Sequence, residues 1–166
     1  MNQALVLACG NPQRGDDGVA LQVVNCLRRG LCDPATEFHS QQQWTPELAE
    51  PISKAEIIIF VDAAIGMPPG SIVCRQLQPT ASTPPGSTHH TSPESLLQLA
   101  DELYGKHPVR AYLLTIAGAS FEMEETLSEP VRRAIPRSVD RIKALLSGVT
   151  TPEDPAAACG SLAMPG

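Results

Sequence analysis

The run Glu56-Ile57-Ile58-Ile59-Phe60-Val61-Asp62 constrains the fold of this chain more than any other feature. Its apolar residues are mostly β-branched and follow one another without polar alternation, the pattern of a strand buried on both faces. A strand covered on both faces needs a helical layer on each side of its sheet. Ala4-Leu5-Val6-Leu7-Ala8-Cys9 reads as a second such strand. It feeds straight into Gly10-Asn11-Pro12-Gln13-Arg14-Gly15-Asp16-Asp17-Gly18-Val19, a tight turn with an acidic pair where a helix begins.

The rest of the chain alternates strand-like with helix-like segments. A helix is predicted from about Asp17 to Arg29, with Val19, Val23, Cys26 and Leu27 on its inner stripe and Gly30 as C-cap. A weaker strand follows at Thr36–Ser40, then a short helix opened by Thr45 as N-cap and Pro46 at the first helical position. Another strand is expected over Ser71–Leu77. Gln78–Thr91 is a Pro-, Ser- and Thr-rich loop containing His89 and His90, and Ser92-Pro93-Glu94 starts a helix through Leu96, Leu97, Leu99, Ala100 and Leu103. Val109–Ala117 is a further strand. A last helix capped by Ser128 runs to about Leu146, with Pro136 expected to kink or split it. These elements predict an α/β fold, three layers (α/β/α) around a mostly parallel, twisted sheet of about five strands. The 166 residues suit one domain over 1–148, and the aperiodic segment 149–166 is expected to be a flexible tail.

Composition narrows the function. A formal net charge of −6 and the lack of clustered Lys and Arg argue against nucleic acid. No stretch approaches the roughly 18 apolar residues of a membrane span. Cys9, Cys26, Cys32, Cys74 and Cys159 are odd in number and lack a CxxC spacing, which suits a reducing compartment, with Cys9 and Cys26 expected to be buried. With no charged leader before a long apolar segment, the expectation is a soluble, cytoplasmic monomer without an organic cofactor. A G-x-S-x-G elbow, a G-x-G-x-x-G turn and a Walker loop are all missing. A phospho-acceptor receiver would need its acids nearer the strand end and a Lys where Gly118-Ala119 stands.

In open α/β sheets ligands collect beyond the carboxyl ends of the strands. Three candidate ligands fall there: Asp17 after the first strand, Asp62 after the third, and His89 in the loop before a helix. Two carboxylates and an imidazole suit a divalent transition metal with positions left open. Each also has an ordinary reading. An acid at a helix start can cap it, the reading assigned to Asp16; Asp62 can accept backbone N–H groups from the next turn; a histidine in a polar loop can be simply solvated.

Taken together, G-N-P-Q-R-G-D-D-G-V from Gly10, I-I-I-F-V-D-A from Ile57, S-T-H from Ser87 and the Ser92–Leu103 helix resemble the nickel-iron hydrogenase maturation endopeptidases over roughly Ala4–Leu146. The resemblance implies Asp17, Asp62 and His89 as metal ligands and catalytic residues. His89 is preferred to His90 because Leu96 and Leu97 stand seven and eight positions after it. Segment 43–50 and the R-G-D-D-G form resemble the branch serving bidirectional, cofactor-linked hydrogenases. Ala20, Ser40-Gln41-Gln42-Gln43 and Met123 depart from the glycines common in relatives, with a turn expected to alter at Met123. The function implied is removal of the C-terminal extension of the hydrogenase large-subunit precursor after nickel insertion, with nickel supplied by that precursor. The alternatives are a non-catalytic nickel-checking module and a small metallohydrolase for another substrate.

Overall fold

A computed structural model describes residues 3–79 and 91–148. The expected tail, Cys159, His89 and His90 lie outside the described residues. The elements are β1 (Ala4–Cys9), α1 (Val19–Gly30), β2 (Thr36–Gln41), α2 (Ala49–Lys54), β3 (Ile57–Ala64), β4 (Ile72–Gln76), α3 (Pro93–Tyr104), β5 (Arg110–Ala117) and α4 (Glu129–Leu146). Short 3₁₀ turns, Gly15–Gly18 and Pro46–Leu48, precede α1 and α2.

The strands form one sheet in the order β2-β1-β3-β5-β4, parallel except for β4, which runs antiparallel along β5. The apolar runs occupy its centre, as their lack of alternation requires. In β1, Val6 and Ala8 face one layer and Leu5 and Leu7 the other; in β3, Ile59 and Val61 oppose Ile58 and Phe60. The first layer packs against α1 and α4, the second against α2 and α3. Burial of each of these large side chains contributes about 1.5–3 kcal/mol relative to exposure. This is the expected three-layer fold, and among the described residues no helix is long and apolar enough to cross a membrane.

Local chemistry explains most boundaries. Ser92 caps α3 reciprocally with Ser95: the Ser95 N–H donates to Ser92 Oγ at 3.1 Å and the Ser92 N–H to Ser95 Oγ at 2.9 Å. Gly105 then ends the helix in the left-handed conformation, φ 67°. Several expectations fail for identifiable reasons. Gly30 is the last residue of α1 and not its C-cap, because Leu31, in extended conformation, donates back to the Leu27 carbonyl at 2.8 Å. Cys26 is exposed, since Ala20 and Val24 complete the inner stripe with Val19, Val23 and Leu27. Leu103 lies outward at the end of α3. Pro136 does not split α4, which runs unbroken from Glu129 to Leu146; it stands on the exposed face, where water can hydrate the carbonyl it leaves unbonded.

Candidate functional site

The strand order reverses direction between β1 and β3, because β1 leads outward to β2 while β3 leads toward β5. At such a switch point the connections diverge and leave a crevice beyond the carboxyl ends. Cys9 ends β1 there, and Asp62 lies near the end of β3, paired in register with Thr115 of β5. The turn after β1 brings Asp17 to the same crevice.

That turn is folded tightly on itself. The Asn11 N–H donates to Asp17 Oδ2 at 2.8 Å, the Gln13 N–H to Asn11 Oδ1 at 2.9 Å, and the Asp17 N–H to the Arg14 carbonyl at 3.1 Å. Gly10 is required at its start: a Cβ there would fall 1.9 Å from the Asp17 carbonyl oxygen. Asp62 accepts the Ala63 N–H at 2.8 Å.

The electrostatics tie the residues together. Burial pushes the Asp62 carboxyl up to about 6; the Ala63 N–H opposes this, the Asp17 charge adds to it, and the Trp44 side chain again opposes it. The Cys9 thiol is raised to about 12 by burial, then by Asp62 and Asp17, against a lowering by the Trp44 backbone. It therefore stays protonated at neutral pH, and its Sγ donates to the Gln42 carbonyl at 3.5 Å. Such a thiol is a poor nucleophile. Two carboxylates held near one another against burial gain most from a cation or proton shared between them.

Trp44 was not singled out as a site residue by sequence reasoning, yet it influences both Cys9 and Asp62. Its ring stands edge-on against Phe60, centroids 5.3 Å apart at 87°. The available signal was the chain's single tryptophan, set among polar residues directly after β2.

Asp16 takes a different part from the one expected. It does not cap α1; its side chain makes no bond to either helix start. The residue is 1 % exposed. Oδ2 accepts the Ala119 N–H at 2.7 Å, the Ser120 N–H at 3.2 Å and the Ser128 hydroxyl at 2.8 Å, while Oδ1 accepts the Ser128 N–H at 2.7 Å. Burial is the largest single influence and raises its pKa, but the bonds from Ser128, Ala119 and Ser120 outweigh it and hold the carboxyl below its ordinary value. Ser128 stands at the N-cap position of α4, as expected, but spends its hydroxyl on Asp16.

Among the described residues, no three His, Cys, Asp or Glu side chains are grouped closely enough to hold a metal ion. Asp17 and Asp62 stand near enough for the charge of one to act on the other, and the third expected ligand, His89, falls outside the described residues. An open cleft of about 890 Å³ lies at the opposite, amino edge of the sheet, lined by Lys54, Glu56, Asp101, Tyr104 and His107 among others. Size alone does not make it a site. Asp101 and His107 are exposed and paired with each other at 3.1 Å.

The fold and crevice define an α/β protein with a carboxylate pair at the switch point of a mainly parallel sheet. Solved structures share this architecture over nearly the whole chain. HybD, the hydrogenase maturating endopeptidase of Escherichia coli, is 22% identical with a TM-score of 0.69, covering 88% of this chain and 93% of its own. The [NiFe] hydrogenase maturation protease HycI of Thermococcus kodakarensis is 20% identical with a TM-score of 0.70, over 88% and 93%. The hydrogenase 2 maturation peptidase of a Thaumarchaeota archaeon is 22% identical with a TM-score of 0.65, over 90% and 100%. At these identities the likeness shows the fold. No protein-family model matches the chain, and no curated protein matches it in sequence.

Proposed function

We propose that this protein is a nickel-iron hydrogenase maturation endopeptidase, a cytoplasmic monomer that removes the C-terminal extension of a large-subunit precursor after nickel insertion. The observation that carries the reading is the pairing of Asp17 and Asp62 at the switch point, where burial and the Asp17 charge together raise the Asp62 carboxyl. The shared fold of structures named as hydrogenase maturation peptidases supports it, as does the G-N-P-Q-R-G-D-D-G-V motif that builds the turn. Segment 43–50 and the R-G-D-D-G form favour the branch serving bidirectional, cofactor-linked hydrogenases.

Nickel enters as part of the substrate. Asp17 and Asp62 offer two negative charges and His89 a nitrogen to a nickel ion already held by the precursor, so that only loaded precursor engages the site. An open set without thiolates holds a free ion loosely compared with a closed structural site. Hydrolysis then breaks the peptide C–N bond, water's oxygen joining the carbonyl carbon and its protons leaving with the new amine and acid.

The test incubates the protein with nickel-loaded and nickel-free precursor and weighs the products. Loss of the extension from the loaded form alone is expected. Cleavage of both forms at equal rate overturns the nickel requirement, and cleavage of neither, with binding retained, makes the protein a checking module.

A further inference from the structure

The residues that carry Asp17 are held from behind by a segment more than a hundred positions away. Residues 118–128, between β5 and α4, lie along the turn after β1 and exchange backbone bonds with it. The Gly15 N–H donates to the Glu124 carbonyl at 2.6 Å, the Glu124 N–H to the Gln13 carbonyl at 3.0 Å, and the Asp16 N–H to the Ser120 carbonyl at 2.9 Å. Arg14 and Glu124 thereby form a parallel bridge.

Two glycines permit this approach. Gly15 has φ +56°, and a Cβ on it would sit 2.7 Å from the Ser120 carbonyl oxygen; a Cβ on Gly118 would sit 2.9 Å from Asp16 Cβ. The bonds to the Asp16 carboxylate described above close the joint. Hydrogen bonds to an ionised, buried acceptor are roughly twice as strong as neutral ones.

We propose that Asp16 is a positioning residue: by buckling segment 118–128 to the turn, it fixes where Asp17 stands opposite Asp62. Asp16 and Asp17 are consecutive in one 3₁₀ turn, so a rotation that releases the first carboxylate displaces the second. The two side chains divide the work. Asp16 serves the β5–α4 segment, while Asp17 holds the Asn11 N–H on the crevice side. The consequence for catalysis rests on the function proposed above; the consequence for the geometry of Asp17 does not.

The variant Asp16→Asn separates these. Its single acceptor oxygen cannot serve both positions, and its amide N–H₂ would meet an N–H donor of the segment. Amide hydrogen exchange is the first readout. After correction for global stability, the Asn11 and Asp17 amides should exchange at least tenfold faster than in wild type, together with those of Ala119, Ser120 and Ser128. Loss of protection confined to the last three would overturn the proposal. If Asp16→Asn does not fold, Ser128→Ala removes one bond to the carboxylate; about threefold faster exchange at Asn11 and Asp17 is expected, and wild-type rates there overturn the proposal equally. In the precursor assay, kcat for Asp16→Asn should fall about ten- to a hundredfold with KM changed less than about twofold. A wild-type kcat in a variant whose Asp17 amide has lost protection overturns the catalytic part. A wild-type enzyme that cleaves nothing refutes the proposed function and leaves the exchange result to decide the positioning.

Discussion

Asp16 and Asp62 lie at the same edge of the sheet, and their surroundings act on them in opposite directions. Asp16, 1 % exposed, accepts bonds from Ala119, Ser120 and Ser128 that outweigh its burial and keep it ionised. Asp62 accepts the Ala63 N–H, faces the charge of Asp17, and is pushed up to about 6. The first arrangement satisfies a carboxylate for the sake of the fold. The second leaves one destabilised in its charged form, the kind of perturbed carboxyl that clusters at functional sites. Burial alone does not separate a structural acid from a functional one; the number and direction of its partners does.

The contrast is tested most severely by Asp16→Ala. Removing the acceptor leaves partly buried donors on three residues without their partner, and the variant should lose about 2–3 kcal/mol in a denaturant melt. The pH dependence has a defined sign. Folding lowers the Asp16 pKa below 3.8, so its contribution is complete above that value and is lost as pH falls through the folded pKa. The Asp16→Ala variant should therefore show a shallower loss of stability in acid than wild type.

Asp62→Asn should do the reverse. Folding raises this carboxyl from 3.8 to about 6, so the folded chain binds its proton more tightly and wild-type stability falls as pH rises through that interval. Relieving the charge should add about 1–2 kcal/mol at pH 7 after allowance for solvent screening, with the gain vanishing below about pH 4. Thermal melts across this pH range check it. Ser128→Ala should have the smallest effect, about 1 kcal/mol of lost stability, because the Ser128 backbone N–H still reaches Asp16 Oδ1.

What the sequence revealed, and what it hid, follows the same division. The two apolar runs read correctly as central strands because their pattern is local and dictated by burial on both faces. The Ser92 cap and the crevice position of Asp17 and Asp62 were legible for the same reason: each depends on neighbours within a few residues or on the order of strand and helix. The role of Asp16 was not. Its partners lie 103 to 112 positions away, and nothing near Asp16 distinguishes a helix-capping acid from one that ties down a distant segment. Trp44 escaped in like manner, because its contact with Phe60 and its influence on Asp62 arise only when β2 and β3 flank β1. Cys26 was misplaced because the inner stripe of α1 is turned toward Ala20 and Val24, which leaves Cys26 on its outer edge.

The central claim is that Asp62 is held for chemistry and Asp16 for structure. It is tested most directly by following nickel-loaded precursor by mass spectrometry with Asp62→Asn, at a temperature where melts show the variant folded. The account predicts no processed product from a protein at least as stable as wild type. Processing at the wild-type rate, or a loss of stability equal to that of Asp16→Ala, would contradict it.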